Sequence, residues 1–387
     1  MAGLLAALAS VPASAAAFWA AVGLAIVANK RLVAADRFPY PVAAAGLQLA
    51  LVSLALGAHS ALGHARRTVR RRTTSSGAAT AAAAATPLLT TLDQMDDYYR
   101  RAVAAPAEAP APPPVSWVFD ANLLFKLRWV SPVGFVYGLF MVTTTIGLWM
   151  VDAETHVLLA STTIVWALVF ARLVSKERVA WAEAVCGAGT MAGSFLLAVQ
   201  ADSAAATAGA GPVLVNLLGP ALLGLTVAML RQACVALGPD GLAPPVGSLE
   251  LTALKDVAAA LTALAVSVAL EGPFPFRLRP GQAEAWWTAL WRLARDGSPA
   301  PWLLGGCAVL QIVFNTEKAH IASLTSASTL GLIMQARIVP AAAIAAALGG
   351  GRTSYTPLNV AGGALCLGSC VAYVAVKYRG GAAGRAG

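Results

Sequence analysis

Long apolar runs, broken by short polar stretches, dominate this chain. Strand-like alternation and the narrow stripe of a surface helix are both absent from them. A membrane-crossing helix needs about 20 mostly apolar residues. On that measure the sequence predicts ten spans, at 13–28, 42–62, 131–151, 156–174, 182–199, 212–230, 249–270, 301–319, 326–348 and 358–376. A β-barrel would instead show segments of about ten residues with alternating polarity. The predicted class is therefore an all-α polytopic membrane protein. The run from the N-terminus to Ala28 lacks a basic leader region and reads as a retained first span.

Two of these runs resemble each other. The stretch 155–174, THVLLASTTIVWALVFARLV, has a partner in 323–340, SLTSASTLGLIMQARIVP. Aligning Arg172 on Arg337 places Ala171 on Ala336, Val174 on Val339 and Ser161 on Ser326. After a ten-residue insertion Val185 falls on Val360, Gly187 on Gly362, Gly193-Ser194 on Gly368-Ser369 and Val199 on Val374. A duplicated membrane half is common in secondary transporters, where substrate sits between the halves. The expected division is 1–200 and 201–387, five helices each. Gly189 and Gly193 form a GxxxG pair, expected to be a helix-packing seam.

Between spans two and three lies 63–114, basic at first, then Ala/Thr/Ser-rich, then Pro-rich. That composition cannot bury enough apolar surface to fold alone, so it is expected to be a disordered insertion loop. Residues 117–129 read as a short amphipathic segment in the membrane interface.

Composition agrees with a bilayer environment: 58% of residues are hydrophobic and 12% charged, against about a quarter charged in soluble domains. The net charge of +9 would suit nucleic acid. However, much of the excess lies beside spans, at Arg66, Arg67, Arg70, Arg71, Arg72, Lys377 and Arg379. There it marks a cytosolic face and contacts with anionic lipid, so lipid is an expected partner and nucleic acid is not. Both termini are placed in the cytosol. The five cysteines and four histidines show no CxxC or metal spacing. No GxSxG, HExxH or P-loop pattern occurs, so no enzyme, cofactor or metal site is expected.

The informative residues are charges inside spans, which cost roughly 2.5–3.5 kcal/mol at mid-bilayer and usually face a cavity. They are Lys255 with Asp256, Arg337, and Glu317 with Lys318. Adjacent helical residues diverge by about 100°, so Lys255 and Asp256 are expected to face different places. Arg337 sits deep in its span, flanked by Gln335 and Ser328, and its planar guanidinium suits phosphate. Arg172, nearer a helix end, reads as facing headgroups. Asn315, within a helix, is preferred over Glu317 and Lys318 as a polar contact. Thr162 and Thr163 are candidates for a sugar or base, set against back-bonding to their own helix. Asn29, closing the first span, is weighed equally as ligand contact and helix-end anchor.

Together, Asn29-Lys30, the FPYP at 38–41 with Gln48, the STTIVWALVFARLVSKER at 161–178 and the SASTLGLIMQARIVP at 326–340 resemble the drug/metabolite transporter superfamily, in its nucleotide-sugar transporter and triose-phosphate translocator branch. The resemblance implies ten helices in two inverted five-helix repeats with alternating access. It implies exchange of a nucleotide sugar for a nucleoside monophosphate, or of a sugar phosphate for phosphate. GDP-sugar members carry FYNN in helix seven and GALNK in helix nine; here the corresponding stretches are 253–256 and 333–337, keeping only the cation Arg337. The expected function is a Golgi or ER nucleotide-sugar antiporter. The alternatives are a plastid-type sugar-phosphate/phosphate exchanger and, from another class, a non-transporting scaffold recruiting partners through 63–114. A homodimer is left open.

Overall fold

The computed structural model describes residues 2–32, 38–75, 122–150, 156, 159–198, 210–238, 246–272, 284–349 and 356–383. Among them are twelve helices and no strand. These are α1 (Ala2–Leu32), α2 (Pro41–Ser75), α3 (Leu123–Met150), α4 (Thr163–Leu173), α5 (Trp181–Ala198), α6 (Ala210–Ala236), α7 (Ser248–Glu271), α8 (Trp286–Arg295), α9 (Ala300–Leu324), α10 (Ala327–Ala336), α11 (Ile338–Gly349) and α12 (Pro357–Ala383). The protein is all-helical with several membrane-competent helices. Among the described residues, four stretches are long and apolar enough to cross a bilayer: Pro41–Gly63, Leu123–Met150, Gly211–Ala236 and Ser248–Glu271. Helices α8 and α9 add a fifth if the pair, bent by 110°, counts as one span.

Each apolar run overlaps a helix, with instructive differences. Helix α2 runs through the start of 63–114 to Ser75, because its Arg-rich continuation has no Pro to stop it; the loop's 76–114 lies outside the described residues. Helix α3 takes in the second half of the 117–129 segment and continues through Pro132 without a break. The ninth run is split: α10 ends at Ala336, Arg337 forms a turn and α11 begins at Ile338. Pro340 explains the break, since it has no N–H to offer the carbonyl four residues back, at Ala336.

Polarity is arranged as lipid requires. Leu54, Phe135, Leu214, Leu261 and Val360 are exposed, while Lys126, Lys255, Asp256, Glu271 and Lys318 are buried. Close packing pairs α2 with α7, α3 with α6 and α7, α1 with α9 and α11, α4 with α6 and α10, α2 with α9, and α5 with α12. Small residues make the seams. A Cβ on Gly138 would stand 2.7 Å from the Ala259 carbonyl oxygen on α7, and one on Gly193 would stand 2.7 Å from that of Gly362 on α12. The Gly193 seam is the one the GxxxG pair foretold. The Gly134–Gly138 seam has the same spacing.

Polar links show which helix ends lie together. At one end Glu271, the last residue of α7, accepts from the Val42 and Ala43 amides that open α2, at 3.0 and 2.7 Å. Asn216, near the start of α6, donates to Gly147, near the end of α3, at 3.2 Å. At the other end Lys126 and Glu250 form a buried ion pair of 2.6 Å between the starts of α3 and α7.

Candidate functional site

A cavity of about 630 Å³ lies among α1, α2, α3, α9 and the α10–α11 break. Its wall is mostly apolar, with Phe18, Tyr137, Phe140, Trp149 and Phe314 as its aromatic members. Its polar lining comprises Asn29, Gln48, Thr144, Thr145, His156, Gln311, Lys318 and Arg337. No carboxylate among the described residues lines it. Beside it a space of about 30 Å³, the size of a water, is bounded by Thr163, His156, Asn216 and Arg337.

Arg337 reaches both spaces from the turn where the helix is interrupted. Neither its guanidinium nor the Lys318 ammonium makes an ion pair or hydrogen bond with any described residue. Lys318 rests instead on the ring of Tyr137, 3.9 Å from its centroid. The result is two cationic side chains facing a largely apolar space that no carboxylate among the described residues lines. Such a site is chemically suited to an anion, which would offset the two side-chain charges.

The candidates named from the sequence divide into two groups. Arg337, Asn29 and Thr163 face one or both spaces. Lys255 does not line the cavity: it is fully buried, pairs with Asp256 and lies 3.9 Å from the Tyr137 centroid. The two side chains meet although their Cβ directions diverge, because the four-carbon lysine arm folds back. Asn315 donates to the same Asp256 at 3.1 Å, also behind the wall. Gln335 donates to Ser194 at 3.1 Å, tying α10 to α5. Ser328 bonds the Tyr373 hydroxyl at 3.0 Å and the Glu177 carboxylate at 3.4 Å, near the start of α10. Thr162 and Thr163 donate to the carbonyls of Leu159 and Ala160 at 2.8 and 2.7 Å, the back-bonding arrangement. Arg172 is exposed, as its place near a helix end suggests.

Gln311, Tyr137 and His156 are cavity residues that sequence reasoning did not single out. Lys318 was set aside as a helix-end residue, but α9 continues to Leu324 and holds it well inside. His156 is oriented by Asn216, whose Oδ1 lies 2.6 Å from its Nδ1. Gln48 stands between two other amides: its Nε2 donates to Asn29 Oδ1 and its Oε1 accepts from Gln311 Nε2, both at 2.6 Å.

The cavity is walled by residues at one end of the bundle, including Asn29 late in α1, Pro41 at the start of α2 and Trp149 late in α3. The opposite end is cross-linked. Glu177 accepts from the Ala327 amide at 2.7 Å and the Ser328 amide at 3.3 Å, so its carboxylate caps α10. Gln232 donates to the Val174 carbonyl, and Ser175 to that of Ala228 at 3.0 Å. Arg231 donates to the Ala322 and Ser323 carbonyls at 3.0 Å each.

No family model and no curated protein matches the chain. Among solved structures, the crystal structure of one protein has the same fold, with a TM-score of 0.53 over 95% of this chain and 96% of that chain, at 15% identity. At that identity the likeness concerns fold alone.

Proposed function

We propose that this chain is a secondary-active antiporter for an organic phosphate, a nucleotide sugar exchanged for a nucleoside monophosphate across an endomembrane. The observation that carries the reading is the pair Arg337 and Lys318, two cations that line one cavity and make no ion pair with a described residue. A volume of about 630 Å³ is in the range of drug-sized ligand sites, about 300–1,000 Å³. That is roomy for a triose phosphate and suits a nucleotide. Aromatic walls offer faces for a base or a sugar ring.

Support for ten crossings and two repeated halves comes from the packing pattern. Number the ten helical runs in order, counting α10 with α11 as the ninth and leaving aside α8. Exchanging each run with the one five places on then turns α1 against α9 into α6 against α3. The same exchange turns α4 against α6 into α10–α11 against α1, and α3 against α7 into α9 against α2. The pairs α2 with α7, α4 with α10 and α5 with α12 map onto themselves. Two related bundles around a shared cavity, one helix of which is broken at a ligand-facing cation, form an arrangement suited to alternating access.

The test is counter-flow in proteoliposomes holding the full chain. Uptake of a labelled nucleotide sugar that rises when a nucleoside monophosphate is preloaded supports the proposal. Stimulation by preloaded inorganic phosphate alone would assign the sugar-phosphate exchanger instead. Absence of any trans-stimulation would sink both.

A further inference from the structure

Gln311 is 1% exposed, and its Oε1 is buried without a hydrogen-bond partner. Yet the residue lines the cavity. Its Nε2 is committed to Gln48, and Gln48 in turn to Asn29. Three amides from α9, α2 and α1 thus form a chain whose buried end is an unused acceptor. A buried acceptor left unpaired costs about 1–3 kcal/mol, a cost that a ligand donor reaching it from the cavity would offset. The ligand group it selects is a donor, an N–H or O–H.

Position along α9 adds the second half of the argument. Gln311, Phe314 and Lys318 follow an i, i+3, i+7 stripe, and all three line the cavity. Seven residues of helix separate Gln311 from Lys318 by about 10 Å. The stripe therefore offers an acceptor, then an aromatic face, then a cation. A lone phosphate is too short to engage both ends.

We infer that the Asn29–Gln48–Gln311 chain is an uncharged recognition subsite, in which Gln311 Oε1 accepts from a sugar hydroxyl or base N–H of an organic phosphate whose anionic end lies at Lys318 and Arg337. This rests on the anion-transport reading and deepens it. The subsite is what separates an organic phosphate from inorganic phosphate, which the two cations alone would not do. It belongs to residues from both proposed halves, so ligand binding ties the halves together.

The experiment measures ligand-induced thermal stabilisation of the detergent-purified full chain. The probes are inorganic phosphate, glucose 6-phosphate, UDP-glucose and GDP-mannose. At least one organic phosphate should bind more tightly than inorganic phosphate. Gln311→Met should narrow that preference by about tenfold and leave inorganic phosphate binding within about twofold. A preference that survives Gln311→Met in full overturns the inference, and so does an equal loss for both classes of anion. Should Gln311→Met fail to fold, the unaltered chain decides, using deoxy and N-methyl analogues of the tightest compound. At least one analogue must fall to the level of inorganic phosphate; if every analogue binds like its parent, the subsite does not exist. Failure of every anion to bind the unaltered chain would instead remove the transport reading on which the inference stands.

Discussion

Arg337 and Lys255 are both cations inside an apolar bundle, but their surroundings give them opposite roles. Lys255 is neutralised where it stands, by Asp256, and Asp256 is held in addition by Asn315. Removing one partner of a buried pair leaves the other charge uncompensated, at a cost of about 3–5 kcal/mol. Asp256→Asn should therefore lower the melting temperature of the purified chain sharply, and the double change Lys255→Met/Asp256→Asn should recover most of the loss. Arg337 has no described partner to abandon. Arg337→Ala is expected to leave the melting temperature near that of the unaltered chain while weakening anion binding about 10- to 100-fold, the worth of hydrogen bonds to a charged group. Lys318→Met should weaken the same ligand, measured by the same titration. A variant set in which Asp256→Asn costs binding alone and Arg337→Ala costs stability alone would reverse these assignments.

Helix boundaries decided which of these residues could be recognised from the sequence. Arg337 was legible because it lies far from both ends of an apolar run, and a charge there needs a reason. Lys318 was named among the charges inside spans but ranked below Asn315, because hydropathy fades before α9 ends: the buried Lys318 and His320 are polar although the helix runs to Leu324. Gln311 carried no charge to draw notice, and its role depends on α1 and α2, hundreds of residues away in sequence. The break at Arg337 was not foreseen, since the apolar run predicts one continuous span over 326–348, and α8 was hidden inside what hydropathy shows only as a basic loop between spans. Glu177 was equally silent, for its meaning comes from α10, whose first amides it caps. A carboxylate at a helix N-terminus is worth about 1 kcal/mol, a shift of about fivefold in a two-state population. Glu177→Gln should loosen the cross-linked end by that factor. The measurement is the rate at which a maleimide labels a cysteine placed at Val174, over the background of the native cysteines; an unchanged rate would show that the cap does not hold this end shut.

At the scale of the whole molecule the two ends of the bundle are in different conditions. One end borders the cavity, and the other is closed by Gln232 on Val174, Ser175 on Ala228, Arg231 on Ala322 and Ser323, and Glu177 on α10. Those contacts join α6 to α4 and α9, and the loop after α4 to α10; all but the Arg231 link, which lies within the second half, bridge the proposed repeat boundary. An exchanger must break such contacts once per cycle, because substrate can leave on the far side only through them. Binding needs none of them broken, since the cavity is already formed while they are intact. The two steps therefore separate under constraint. Cysteines at Val174 and Gln232, joined by a short thiol cross-linker, should abolish counter-flow in proteoliposomes while leaving the ligand-induced thermal shift unchanged. A cleavable linker should restore flux on reduction, which distinguishes a locked gate from a damaged protein. A channel or a scaffold predicts otherwise: flux through a fixed pore would persist, and a scaffold would show no flux to lose. Undiminished exchange with the linker in place would mean that this end is not the barrier, and the cavity would then need an exit elsewhere among the helices.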